Sequence, residues 1–62
     1  MTLQPGDLVR IRHFDAFYLG VYIGLAPLNA RSRFRFLING KIMDFDLENK
    51  PICNYEVISE SI

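Results

Sequence analysis

The chain has 62 residues, half of them apolar and eight aromatic, which suits one small domain spanning residues 1–62 and leaves no room for a second. Seven basic and seven acidic side chains cancel, so a protein that holds a polyanion by bulk charge is disfavoured. One cysteine and one histidine exclude an intrachain disulfide and a Cys/His zinc site within the chain.

From the N-terminus, Pro5-Gly6-Asp7 is a turn that launches a first strand, Leu8 to His13. Val9 and Ile11 share one face of it, Arg10 and Arg12 the other. Phe14-Asp15-Ala16 reads as a short loop. A long second strand follows, from Phe17 to Leu25. One face carries Phe17, Leu19, Val21, Ile23 and Leu25; the other carries Tyr18, Gly20, Tyr22 and Gly24. Glycines inside a strand mark a bend or a close backbone approach, so this strand is expected to curl. Ala26 to Ser32 is a connection with Pro27 and Asn29 as breakers.

The third and fourth strands are expected at Arg33–Ile38 and Lys41–Leu47, joined by Asn39-Gly40, a type I′ hairpin signal. A two-residue turn there sets Ile38 against Lys41, Phe36 against Met43 and Phe34 against Phe45 on one face. On the other face Leu37 meets Ile42, Arg35 meets Asp44 and Arg33 meets Asp46. Opposite charges directly across a ladder contribute roughly 0.2–1 kcal/mol each. A slip of one residue would destroy both sets of pairs. Asp44, Asp46 and Glu48 therefore read as a structural charge ladder with Arg33 and Arg35, not as a metal site. Glu48 to Pro51 form a turn, and a fifth strand lies within Ile52–Ser59. Five short strands with a bent second one and a tight third hairpin describe an all-β, five-stranded SH3-like barrel. Its core is expected to comprise Val9, Ile11, Leu19, Val21, Ile23, Phe34, Phe36, Ile38, Met43, Phe45 and Val57.

Nothing in the sequence assembles an active centre. Cys53 and His13 lie in different strands without the orienting third group that nucleophilic catalysis needs, so no enzyme, catalytic residue, metal or cofactor is expected. No apolar run approaches the roughly 20 residues of a spanning helix, and MTLQPGDLVR has no signal-peptide core. The expectation is a soluble cytoplasmic protein with no membrane partner. The surface is more informative. Tyr18 and Tyr22, with Gly20 between them, either offer a stacking platform for bases or, as the arginine–aspartate pairing favours, cover the open side of a thin barrel or pack in a subunit interface. Arg10 and Arg12 on the first strand and Arg31 before the third add cations beside it. Charge is also uneven: residues 1–43 carry six basic and two acidic groups, residues 44–62 one basic and five acidic. Halves of +4 and −4 suit head-to-tail self-association.

PGDLVRIR, a bent glycine-containing strand and a closing YEVIS resemble the small barrel proteins of marine phages, which implies a host-cell cytoplasmic location. Gly20, Tyr22, Gly24 and Leu25 are similar to the first motif of the Sm/LSm family. Leu28-Asn29 resembles its apolar-asparagine pair one residue early, and Ala26 stands where that motif has aspartate. Ile52-Cys53-Asn54 with Val57 has the spacing of the second motif without its arginine and glycine. The resemblance implies an Sm-like barrel, adds Asn29 to the candidate RNA-contacting residues, and implies a homo-oligomeric ring that pairs strand 41–47 of one copy with strand 55–59 of the next. Two functions follow as expectations: an oligomeric, non-catalytic barrel that binds RNA or single-stranded DNA, or a structural adaptor that binds only protein.

Overall fold

A computed structural model describes residues 3–26, 33–47 and 51–60. They form β1 (Leu8–His13), β2 (Ala16–Leu25), β3 (Phe34–Ile38), β4 (Lys41–Phe45) and β5 (Cys53–Ser59). All four neighbouring pairs are antiparallel, in one sheet of order β4-β3-β2-β1-β5. The described residues are therefore all-β, and the sheet is not closed: β4 and β5 are its two edges.

Local chemistry accounts for the turns. Gln4 to Asp7 close a turn in which the Asp7 amide donates to the Gln4 carbonyl at 3.0 Å and the Gln4 amide donates to Asp7 Oδ2 at 3.0 Å. Asp7 and Gly6 then exchange backbone bonds with Tyr22, which ties this turn to the middle of β2. The β1–β2 hairpin pairs His13 with Ala16, so its loop is Phe14-Asp15 and Ala16 belongs to the strand. In the β3–β4 hairpin Asn39 and Gly40 both have positive φ, 51° and 78°, as a type I′ turn requires. The ladder runs Ile38↔Lys41, Leu37↔Ile42, Phe36↔Met43, Arg35↔Asp44 and Phe34↔Phe45, the expected register. It stops there, one residue before Arg33 would meet Asp46. Arg35 grips Asp44 with both arms of its guanidinium, Nε to Oδ1 at 2.8 Å and Nη2 to Oδ2 at 3.0 Å.

The sheet curls strongly. A flat single sheet would be about 10 Å thick, whereas the molecule measures 28 × 28 × 26 Å. The His13 ring on β1 meets the Phe45 ring on β4 at 5.5 Å although β2 and β3 lie between those strands. The concave side holds the core: Leu3, Val9, Ile11, Tyr22, Phe36, Ile38, Phe45, Leu47 and Cys53, with Tyr18, Phe34, Met43 and Val57 packed against them.

This core corrects the expected orientation of β2. Leu19 and Ile23 are exposed and Val21 only half-buried, whereas Tyr22 is buried at 5% exposure and Gly20 is also buried. Tyr22 meets Phe36 at 5.4 Å and Phe34 at 5.9 Å, and Tyr18 meets Phe45 at 5.4 Å. Both faces of β2 are apolar, so alternation alone does not say which one turns inward. Gly20 decides it: a Cβ there would run into Ile38 Cγ1 and lie 3.0 Å from the Leu37 carbonyl oxygen. Only the glycine face lets β3 approach closely enough for the sheet to curl. Ile23 is a bulge, since Tyr22 pairs with Phe36 and Gly24 with Arg35, and the extra residue adds to the bend.

Candidate functional site

The convex outer face of the sheet carries two distinct surfaces. The register aligns Leu8 with Val21, Val21 with Leu37 and Leu37 with Ile42, a single apolar row across four strands. Ile42, on edge strand β4, is 56% exposed and Leu37 42%. Leu19, next to Val21 on the same face of β2, is 56% exposed. At the other edge Ile58 is exposed at a bulge, where Leu8 pairs with Ser59 and Val9 with Val57. Exposed apolar residues are common singly; a continuous row is what marks an interaction site.

The second surface is a shallow open groove of about 190 Å³ lined by Arg10, Arg12, Phe17, Asn54, Tyr55 and Glu56. Strand pairing builds it. Arg12 lies between Phe17 on β2 and Asn54 on β5; Arg10 lies between Leu19 and Glu56. Phe17 is 67% exposed. Arg10 Nη2 pairs with Glu56 Oε1, an exposed bridge of a kind that contributes little to stability. Arg12 Nη1 donates to the Phe14 carbonyl oxygen at 2.8 Å. Two guanidiniums and one carboxylate thus border the groove.

The candidate nucleic-acid residues divide between the two sides of the sheet. Arg10 and Arg12 are on the outer face, while Tyr22 is in the core and Tyr18 packs against Phe45 inside. Burial pushes the Tyr22 phenol up. No tyrosine platform therefore forms beside these arginines. Asn29 and Arg31 lie outside the described residues. The aromatic ring that does accompany Arg12 is Phe17, which shares its strand face with Leu19, Val21 and Ile23 and is not among the site residues expected from the sequence. Asn54 and Glu56 have no sequence signal of their own; they reach the groove because β5 pairs with β1.

Two titratable groups away from the groove are shifted by their surroundings. The Arg35 hydrogen bonds hold the Asp44 carboxyl below the usual range, against a smaller opposing effect of burial, with help from the charges of Arg35 and Arg33. Burial pushes the Cys53 thiol up, Asp46 adds to this and Arg12 opposes it. Among the described residues no group of three or more His, Cys, Asp or Glu could hold a metal, and no helix is long and apolar enough to cross a membrane. The chain matches no protein-family model, no curated protein and no solved structure.

Proposed function

We propose that this chain is a non-catalytic, self-assembling barrel of SH3-like, Sm-like shape that works by binding further copies of itself. The observation that carries this reading is the apolar row Leu8, Val21, Leu37 and Ile42, which runs out to the open β4 edge. A domain of this length buries only about 60% of the surface its unfolded chain exposes, and part of the surplus apolar surface here, Leu37, Ile42 and the neighbouring Leu19, lies along this row. Among the described residues β4 and β5 each pair with a single neighbouring strand, and an edge of that kind is the usual template for a second chain. The strand order, with β1 between β2 and β5 and the sheet curled around a one-sided core, is that expected of an Sm-like barrel. Pairing β4 of one copy with β5 of the next continues the sheet and covers Ile42. Such a head-to-tail contact closes into a ring when its rotation permits.

Light scattering on the purified protein at micromolar concentration tests this. The expected mass is a multiple of 7.2 kDa, and Ile42→Ser combined with Leu37→Ser lowers it toward the single chain. Both positions are exposed, so the double variant keeps its fold. A wild-type mass of one chain, unchanged on concentrating the protein about tenfold, overturns the reading.

A further inference from the structure

We infer that the groove over β1, β2 and β5 is a binding site for single-stranded nucleic acid, in which Phe17 stacks on a base and Arg12 holds the adjacent phosphate. Three features placed together support it. The Phe17 ring is two-thirds exposed and belongs to the groove wall. Arg12 is its direct cross-strand neighbour, and Asn54 is the next residue along the same row. Strands lie about 4.8 Å apart, so a flat ring, a guanidinium and an amide stand side by side within the reach of one or two nucleotides. Base, phosphate and base edge are the groups those side chains recognise.

Charge makes Arg12 the anion contact. Arg35 is committed to Asp44 and Arg10 to Glu56. The bond from Arg12 goes to a neutral carbonyl, which leaves its charge standing, and a guanidinium has five N–H donors. The groove thus has a net charge of +1 in a chain whose total is zero. An acidic peptide would also engage Arg12, but it would leave the exposed ring and the amide without a role. Binding is carried by stacking and one or two phosphate contacts, so its salt dependence is shallow. Glu56 acts against it: it holds Arg10 and puts a negative charge at the groove.

The inference is independent of self-association, and a short probe keeps the two separate. The experiment is fluorescence anisotropy with a labelled five-nucleotide uridine strand and a mixed-sequence DNA strand of that length, at two salt concentrations. Expected is saturable binding with a slope of log K against log salt between about −0.7 and −1.4, the value for one or two phosphates on a single strand. Phe17→Ala weakens binding roughly 5- to 150-fold, with an unchanged circular-dichroism spectrum. Arg12→Gln lowers the slope by about 0.7. Glu56→Gln, which releases Arg10, tightens binding and steepens the slope by a similar amount. Leu37→Ser changes none of these. No binding by the wild type overturns the inference, as does unchanged affinity in Phe17→Ala. Displacement of the strand by a short acidic peptide at equal concentration reassigns the groove to protein and equally overturns it.

Discussion

Gly20 is the residue on which the inward orientation of β2 depends, and adding one methyl group to it is a sharp test. In the structure that methyl would run into Ile38 Cγ1, with Ile38 Cδ1 at 3.2 Å and the Leu37 carbonyl oxygen at 3.0 Å. The Ile38 side chain is itself buried, and the carbonyl belongs to β3, which is paired on both sides. Relief therefore requires β2 and β3 to move apart. Overpacking of this kind costs about 1–3 kcal/mol, against a total on the order of 3–9 kcal/mol for a domain of this length at typical per-residue values. Gly20→Ala is expected to lower the Tm by about 5–20 °C, read by thermal circular dichroism at one fixed protein concentration. If Gly20 merely faced solvent on a flexible strand, alanine would restrict the unfolded chain and stabilise the protein by about 0.4–1 kcal/mol. The two accounts differ in sign. A Tm equal to or above wild type would refute the close approach of β3 and, with it, the placement of Tyr18 and Tyr22 inside.

Two further perturbations address the core and the hairpin. Phe36 is fully buried and meets both Tyr22 and Phe45, so Phe36→Ala is expected to cost about 3–5 kcal/mol and to abolish a cooperative melt, as calorimetry would show. Asp44 has its folded-state pKa depressed by the Arg35 hydrogen bonds. A depressed carboxyl contributes stability that is present above its unfolded value, about 3.9, and is lost as pH falls through the lower folded value. Stability measured in urea should therefore fall below about pH 4, and Asp44→Asn should flatten that acid limb while leaving the rest of the pH profile parallel to wild type.

The β3–β4 hairpin is legible in the sequence because two independent signals agree. Asn39-Gly40 requires a tight turn, and only a two-residue loop there sets Arg35 against Asp44. The inward phase of β1 is legible as well, since Ile11 lies between Arg10 and Arg12, which places Val9 and Ile11 on one face and both arginines on the other. β2 is different. Leu19, Val21 and Ile23 on one face and Tyr18 and Tyr22 on the other give no contrast in polarity, and counting aliphatic residues selects the wrong face. The glycine between the tyrosines is the better guide, because a curling sheet needs its smallest side chains where strands crowd. The same inversion displaced the candidate site. Arg10 and Arg12 lie on the accessible face, but the ring beside them is Phe17, and the groove is completed by residues of β5 that are more than forty positions away in sequence.

The proposed self-assembly and the inferred binding at the groove would reinforce each other. One groove offers two rings, Phe17 and Tyr55, and one uncommitted cation, and the chain as a whole has no net charge to add. A single copy is therefore expected to bind a short strand weakly. Copies joined through β4 and β5, as proposed, would repeat the groove at fixed intervals on the outer face. A strand held at one groove then meets the next as an intramolecular event, and linked sites of this kind gain about 10²–10⁴ in overall affinity when the spacing permits simultaneous contact. Affinity is thus expected to rise steeply with strand length for the wild type. It should rise little for the Leu37→Ser/Ile42→Ser variant, although the two proteins bind a five-nucleotide strand equally. Anisotropy titrations with strands of five and about thirty nucleotides separate the contributions. Equal gains with length in both proteins would show that the grooves do not act together, and would uncouple the assembly from binding.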